Sequence, residues 1–582
     1  MPVTKAQVRS GAYYDSVVLM QLQRALAGLP GVHDAGVVMG TAANKDILAQ
    51  TGMLAPEAQA ASADDLVIVV QAQDDPAAES ALGRVDELLT KRRSSVEQDY
   101  LPKSLESGAQ MLPDAHWVLI SVPGRYAAGV SRQALRLGKN VFLYSDNVSQ
   151  DDEVSLKQMA AAKGLLVMGP DCGTAIVNGV GLGFANKVRR GPIGLVAASG
   201  TGLQQVSARI HQSGGGITHA LGTGGRDLSE AVGAVTAHQG LDLLSRDPET
   251  SVIVLISKPP SARVASRLLH AARSAGKPVV VDFIGYNPPS RQADNLHFAS
   301  TFDEAAEMAV QLAQDSPDKV GRHPILDPDQ TLALEQFAPG QQYLRGLFSG
   351  GTLAYEALLL LQEYLPAVYS NVPLKAEYRL ANSLVSQEHT IVDLGEDEFT
   401  VGRLHPMMDN DLRLRRLQQE SLDPQVAVIL LDVVLGFGAH PDPAGELAPA
   451  ILQARSAAQE AGRFLEVVAI VVGTDEDPQD LHAQMHQLVQ AGAHVETSND
   501  AAVRYAGRLL QALTPTTTTA GSEAPPPVDL SMLTQPLAAL NVGLESFTAS
   551  LKAQDAPVLQ VDWRPPAGGN ERLMAILEKM RG

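Results

Sequence analysis

Ile193-Gly-Leu-Val-Ala-Ala-Ser199-Gly200-Thr201-Gly202 is an apolar run that ends in small residues and leads directly into an amphipathic stretch, Leu203 to Gln212. It reads as a buried strand, a tight turn and a helix, with Ser199 where a helix cap belongs. Leu344-Arg-Gly-Leu-Phe-Ser349-Gly350-Gly351-Thr352 repeats the device ahead of Leu353 to Tyr364. In each turn glycine lets backbone approach a ligand closely, and the unpaired first-turn N–H groups, with the positive end of the helix dipole, attract phosphate or carboxylate. One charge at one such end gains ~0.3 to 1 kcal/mol, rising to about 2 when partly buried. Parallel sheets place ligands at the C-terminal ends of their strands, so the two turns are expected to face one anion. The expected phosphate-binding set is Ser199, Gly200, Thr201, Gly202, Ser349, Gly350, Gly351 and Thr352.

Outward from these turns the chain alternates strands with helical stretches. Apolar runs at His116 to Val122, Asn140 to Tyr144, Leu165 to Met168, Ser251 to Ile256 and Pro278 to Phe283 flank the first turn. Others at His389 to Asp393, Gln425 to Val433 and Glu466 to Val472 follow the second. This is the pattern of α/β domains with helices on both faces of a parallel sheet. Before residue 100, strands at Asp34 to Met39 and Leu66 to Val70, with amphipathic stretches at Val17 to Leu26 and Ala78 to Leu89, predict a small α+β domain. After Thr514 a Thr/Pro-rich run reads as a linker. Beyond it Leu537 to Leu551 reads as helical, Val558 to Val561 as a strand, and Asp562 to Asn570 as a loop before a last helix.

Composition narrows the function classes. With 582 residues the chain exceeds a single core, and its 45 Lys and Arg against 65 Asp and Glu leave a net charge of −20. That field repels nucleic acid and anionic lipid, so an anion site must be local, made of backbone N–H groups and a few placed cations. One cysteine, Cys172, allows no intrachain disulfide, no apolar run approaches a bilayer span, and no export signal opens the chain. The expectation is a cytoplasmic, oligomeric enzyme subunit with a small-molecule substrate. The spacing of Asp, Glu and His shows no regular metal signature, so no metal site is predicted.

Val118-Leu-Ile-Ser-Val-Pro-Gly124, Met168-Gly-Pro-Asp-Cys-Gly173 and Gly191-Pro-Ile-Gly-Leu-Val-Ala-Ala-Ser-Gly-Thr201 occur in that order, followed by Asp247-Pro-Glu-Thr250 and Lys277-Pro-Val-Val280. In these residues the chain resembles the α subunit of succinyl-CoA synthetase. From about 340 to 513 it resembles that enzyme's β-subunit ligase domain, and over its whole length it resembles the FdrA family. The resemblance implies a small N-terminal domain (1–100), a degenerate CoA-binding-type Rossmann domain (101–188), and two flavodoxin-like ligase domains (189–320 and 340–513). A linker (514–530) and a docking segment for companion subunits (531–582) complete the expected plan. It also implies a part in oxamate carbamoyltransferase, where oxalurate and phosphate exchange with oxamate and carbamoyl phosphate; an acyl-CoA synthetase subunit and a metabolite-sensing scaffold are the alternatives.

Departures from the synthetase pattern matter. Where the synthetases carry a phosphorylated histidine in a Gly-His-Ala-Gly setting, this chain has Gly285-Tyr-Asn-Pro-Pro-Ser-Arg-Gln-Ala-Asp-Asn-Leu-His297. Nothing like Gly-x-Thr-Gly-x-x-Gly precedes Val118, which leaves CoA without its usual turn. Phosphate or carbamoyl phosphate is the expected ligand, and no cofactor is assigned.

Beside the cradle, Gly222-Thr-Gly224-Gly225-Arg226-Asp227 matches a loop near the synthetase phosphate. Arg226 there neutralises phosphate while Asp227 orients a donor, or else the loop is a capped turn with a solvated arginine. Asp393, Glu396, Arg403 and His405 lie in a segment dense in ionisable groups, where Arg403 and His405 are candidates to bind a substrate carboxylate or move a proton. His440 and Cys172 are further candidates, the cysteine reading equally as a packing residue.

Overall fold

The computed structural model describes residues 2–10, 16–63, 65–91, 102–286, 288, 290–314, 334–400, 403–514, 537–542 and 545–561. Met1–Thr514 and Pro515–Gly582 are two separate compact units. The Thr/Pro-rich run, the loop from Asp562 and the helix expected after it lie outside the described residues.

The N-terminal domain is an antiparallel sheet of Val3–Arg9, Leu66–Ala72 and Val32–Met39, with Leu66–Ala72 in the centre. Alternation along the central strand fixes its two faces: Ile68 and Val70 pack under the helices Ser16–Ala27 and Asp75–Gly83. Val67 and Val69 pack with Val38 and Leu48 on the other face. The first strand, absent from the sequence reading, is half-buried at all seven positions and carries polar residues through its middle.

A three-stranded parallel sheet follows, Trp117–Ile120, Asn140–Leu143 and Val167–Met168. Next comes an eight-stranded sheet whose central strands, in spatial order Val279–Phe283, Val252–Ser257, Arg190–Ala198 and Ile217–Gly222, are parallel. One edge carries the hairpin Thr174–Val177/Val180–Gly183, turned by Asn178 and Gly179 at positive φ. The second module is an all-parallel six-stranded sheet in the order Tyr369–Ser370, Thr390–Asp393, Tyr343–Phe348, Val426–Val434, Glu466–Val472 and His494–Glu496. All nine residues of Val426–Val434 are buried, which accounts for the continuous apolar run.

The two large sheets share one core. The helices Gly200–Gln212, Phe302–Ala313, Gly351–Leu361 and Asn499–Leu513 contribute Leu203, Phe302, Leu353 and Val503 to a single cluster. Glu356 ties three of these helices, accepting from the Phe302 N–H at 3.0 Å and from Asn499 Nδ2 at 2.7 Å. The chain itself stitches the modules where Ala185 and Phe437 exchange backbone hydrogen bonds and the Lys187 N–H donates to Asp477.

Asp282 lies in this core, fully buried on Val279–Phe283, and neither carboxyl oxygen has a hydrogen-bond partner among the described residues. Burial, with a smaller push from Glu304, lifts its pKa to about 8. The native state therefore keeps a proton that the unfolded chain, with an ordinary carboxylate near ~4, releases. The stability this proton contributes is complete below about 4 and declines as pH rises toward 8. Asp282→Asn is expected to flatten that decline, read as urea midpoints across this range; an unchanged slope would show that Asp282 does not cause it.

The second unit is a short parallel pair, Ala539–Val542 and Val558–Val561, joined by the helix Glu545–Lys552. The helix expected over Leu537 to Leu551 is thus strand at Ala539–Val542 and helical from Glu545 on. Leu540 and Leu559 pair in register and are 73% and 63% exposed, which leaves this small sheet an apolar face open to solvent.

Candidate functional site

Both small-residue turns fall at strand ends, and the structure brings them into contact. Ser199 caps the helix Gly200–Gln212 by accepting from the Gly202 N–H at 2.9 Å, and its hydroxyl donates to Thr352 Oγ1 at 2.9 Å. A Cβ on Gly350 would stand 2.7 Å from Thr201 Cγ2, so only glycine lets the helix heads meet so closely. The N–H groups of Gly200, Thr201, Gly351 and Thr352 have no hydrogen-bond acceptor among the described residues. Thr174 adds a hydroxyl: it is 1% exposed, has no partner, and lies 3.6 Å from where a Cβ on Gly200 would stand.

The second turn differs from its expected role. The N–H groups of Ser349 and Gly350 donate to the two carboxylate oxygens of Asp432 at 2.7 and 2.8 Å, and Ser349 Oγ donates to it at 2.9 Å. Asp432 interrupts the apolar run of the neighbouring strand Val426–Val434 and is paired at 3.0 Å with Arg413, itself 2% exposed. Two donors assigned to phosphate from sequence therefore serve an internal carboxylate. The four free N–H groups are the ones beyond it.

Asp393 and His405 flank this head. A Cβ on Gly395 would lie 2.9 Å from the Ser349 carbonyl oxygen, 3.0 Å from His405 Nε2 and 3.2 Å from Asp393 Oδ1. Burial first, then Glu396 and Asp432 against an opposing Lys258, lifts Asp393 to about 7. His405 keeps a partly accessible edge, yet the packing around it and nearby Arg413 hold its imidazole below the ordinary range. Its ring lies 5.2 Å from that of Phe184.

Lys258, Asp171 and Asp432 escaped the sequence reading. Ser257 is in register with Ala198 across adjacent strands, so Lys258 leaves the sheet beside Ser199. It has no ion-pair partner among the described residues and acts on both Asp393 and Asp171. Asp171 keeps contact with solvent, but the protein around it and Asp146, Asp397 and Glu396 raise its carboxyl above the ordinary value. A strand-terminal lysine among carboxylates is visible only once the sheet order is known.

Other candidates are placed elsewhere. Asp227 is buried, accepts from Lys157 Nζ at 2.7 Å, and caps the helix Val235–Arg246 through the Thr236 and Ala237 N–H groups. Arg226 donates to Glu153 and to the Val148 carbonyl oxygen. The expected phosphate contact and catalytic roles give way to a capped, ion-paired loop, because Glu153 and Lys157 of the 150–162 helix reach Arg226 and Asp227 first. Gly224 has φ +85° against the Pro170 carbonyl, and Gly225 sits near Asp171, so both shape the cleft wall. Burial pushes the Cys172 thiol up to about 12, which makes it a packing residue. His297 lies in the strand Leu296–Phe298 opposite Val280, with two strands between it and that of Ser199. His440 and Arg403 face the N-terminal domain.

Comparison with known proteins agrees with this architecture. Residues 347–509 match the CoA-ligase family and residues 1–103 match the AllF heavy metal-associated domain. The chain is 42% identical over 495 residues to YahF of Escherichia coli K12, covering 85% of this chain and 96% of that one. It is 26% identical over 225 residues to the α subunit of the ADP-forming succinate–CoA ligase of Aquifex aeolicus, covering 36% of this chain and 72% of that one. A 50-residue stretch, 9% of this chain, is 40% identical to 11% of E. coli YahG.

The metal in the N-terminal description does not fit these residues. Soft metals take thiolate ligands, and residues 1–103 contain no cysteine and one histidine, His33. No group of three His, Cys, Asp or Glu suited to a metal occurs among the described residues. CoA fits no better at the head of Gly124–Arg136, where a Cβ on Gly124 would stand 2.2 and 2.5 Å from the Asp146 and Asn147 carbonyl oxygens. That helix end already faces acceptors. No helix among the described residues is long and apolar enough to cross a membrane.

Proposed function

The chain belongs to the family of E. coli YahF, and we propose that it is the acyl-phosphate-handling subunit of a CoA-ligase-type enzyme. The observation that carries this reading is the meeting of two helix heads at the Ser199–Thr352 hydrogen bond, with four N–H groups free around it. Phosphate oxygens replace that hydrogen bond and take the N–H groups of Gly200, Thr201, Gly351 and Thr352. Lys258 faces the acyl carbonyl, where it offsets charge developing on oxygen. In the direction of acyl-phosphate formation, a phosphate oxygen attacks the carbonyl carbon. The bond from that carbon to its sulfur or nitrogen leaving group breaks, and Asp393, poised near neutrality, supplies the leaving group's proton.

A thioester leaving group is the acyl-CoA ligase reaction, which the CoA-ligase match favours. A ureide nitrogen is the second reading, the oxalurate phosphorolysis of an oxamate carbamoyltransferase. His297, in the stretch where the synthetases carry their phosphorylated histidine, has two strands between it and that of Ser199, which favours a direct attack of this kind. In either case companion chains hold the nucleotide parts, with residues 531–582 as the segment that docks on them.

The test uses the full chain with its co-purifying partners, acetyl phosphate with CoA in one arm and oxalurate with phosphate in the other. Thioester formation supports the first reading, and carbamoyl phosphate formation the second. Lys258→Met and Thr352→Val, the second removing a hydroxyl of the Ser199–Thr352 pair that phosphate displaces, should each lower the active arm by about a hundredfold, the scale of one lost oxyanion donor. Activity indifferent to both substitutions would remove the site.

A further inference from the structure

The N-terminal domain matches a metal-associated family yet lacks the ligands, and the surface it turns inward is occupied. Asp34, on Val32–Met39, accepts a two-pronged bond from Arg415, with Nη1 to Oδ2 at 2.9 Å and Nη2 to Oδ1 at 3.1 Å. The Nε of Arg415 also reaches Asp411 at 3.1 Å, so Asp34 grips the start of the helix Asp411–Ser421. Arg24, near the end of Ser16–Ala27, pairs with Glu446 at 2.8 Å and lies 3.0 Å from His440 Nε2. Glu446 in turn accepts from Asn410 Nδ2 at 3.0 Å, and the His440 N–H donates to the Met407 carbonyl oxygen at 2.8 Å. Leu19, Met20 and Val37 close over Arg403 and Leu404. Within the segment from Arg403 to Asp411, residues Arg403, Leu404, Met407, Asn410 and Asp411 are thus held from the N-terminal side or by residues gripped there. His405 lies in its middle and faces the Asp393–Gly395 turn.

We propose that the N-terminal domain serves as a clamp, in which Asp34 and Arg24 are positioning residues that hold the segment 403–411 closed and so keep His405 at the site. This goes beyond the proposed reaction and does not depend on which leaving group departs. Both ion pairs are partly exposed, so the clamp is a local device whose release need not unfold either domain.

Hydrogen exchange and the titration of nitrogen-labelled histidine in the full chain separate the clamp from a merely structural contact. In Asp34→Ala and in Arg24→Gln, amides of 403–411 are expected to exchange about tenfold faster, while those of Val426–Val434 keep their protection. The His405 imidazole should titrate at higher pH, toward its unperturbed ~6.5, as the segment opens to water. Asp34→Glu should restore both signals. Unchanged exchange at 403–411, or acceleration spread evenly over the chain, would overturn the clamp. So would saturable uptake of zinc or copper(I) that His33→Ala abolishes, since the domain would then be a metal carrier. Lack of acyl-phosphate activity in the unsubstituted chain, with the variants exchanging as expected, would count against the proposed reaction alone.

Discussion

Lys157→Met is expected to lower the stability of the main unit by roughly 3–5 kcal/mol, the cost of stranding buried charge. Lys157 has no exposed surface; its ammonium donates to Glu153 at 2.9 Å, to Asp227 at 2.7 Å and to the Thr223 carbonyl oxygen at 3.0 Å. It joins the helix Gln150–Ala162 of the three-stranded domain to the loop that follows Ile217–Gly222 in the eight-stranded sheet. Methionine keeps the stem and removes the charge. Glu153 retains Arg226 at 3.0 Å, but Asp227 keeps only the Thr236 and Ala237 N–H groups. In thermal unfolding of a unit spanning Met1–Thr514 this corresponds to a fall of roughly 3–5 °C, at ~1 °C per kcal/mol from an unfolding entropy of about 2.1 cal/mol/K per residue. Adding Asp227→Asn, which removes the stranded charge, should recover part of the loss, and the double-mutant cycle isolates the pair. A loss below about 1 kcal/mol would mean that water reaches these carboxylates and that the junction is not sealed.

The contrast between this loop and the Ser199 turn shows what was legible in the residues. Gly222 to Asp227 carries the same small and charged residue types as a phosphate loop, and only the helix about seventy positions earlier decides that its charges are spent. Strands such as Val252–Ser257 and Val426–Val434 announce themselves because burial on both faces demands unbroken apolar sequence. Val3–Arg9 and the hairpin Thr174–Val177/Val180–Gly183 do not, since edge positions tolerate polar residues. The turns at Ser199 and Ser349 were readable because glycine and a capping hydroxyl are local requirements. Lys258 and Asp432 were not, because each is one polar residue, the first just past an apolar strand and the second within one. Its meaning comes from the neighbouring strand: Ala198 beside Ser257 in one case, the Ser349 turn beside Asp432 in the other. Arg403 and His405 illustrate the same limit, two residues apart in sequence and facing different domains in space.

Asp432→Ala is expected to cost more than Lys157→Met, and to reveal what the carboxylate replaces. Its removal leaves Arg413 buried with Asn410 and a backbone carbonyl as its remaining partners, and leaves the Ser349 and Gly350 N–H groups unmet. A stranded buried cation costs roughly 3–5 kcal/mol, and each unsatisfied donor adds about 1–3 where water cannot enter. The vacated place is then an anion site by construction: two N–H groups, a serine hydroxyl and a guanidinium converge on it. Phosphate or sulfate should fill it and restore stability as RT ln(1 + [L]/Kd), about 2.7 kcal/mol at a hundredfold excess over Kd. The unfolding midpoint of the variant should therefore rise with phosphate more steeply than that of the unsubstituted chain, which can respond only through Gly200, Thr201, Gly351 and Thr352. Chloride at equal ionic strength should not reproduce the rise. Parallel phosphate dependence in the two proteins would mean that Asp432 is a structural ion pair and holds no place that an anion can take. A steeper rise would identify the second helix head as an anion site filled by the chain's own carboxylate, which leaves the four free N–H groups to a ligand from outside.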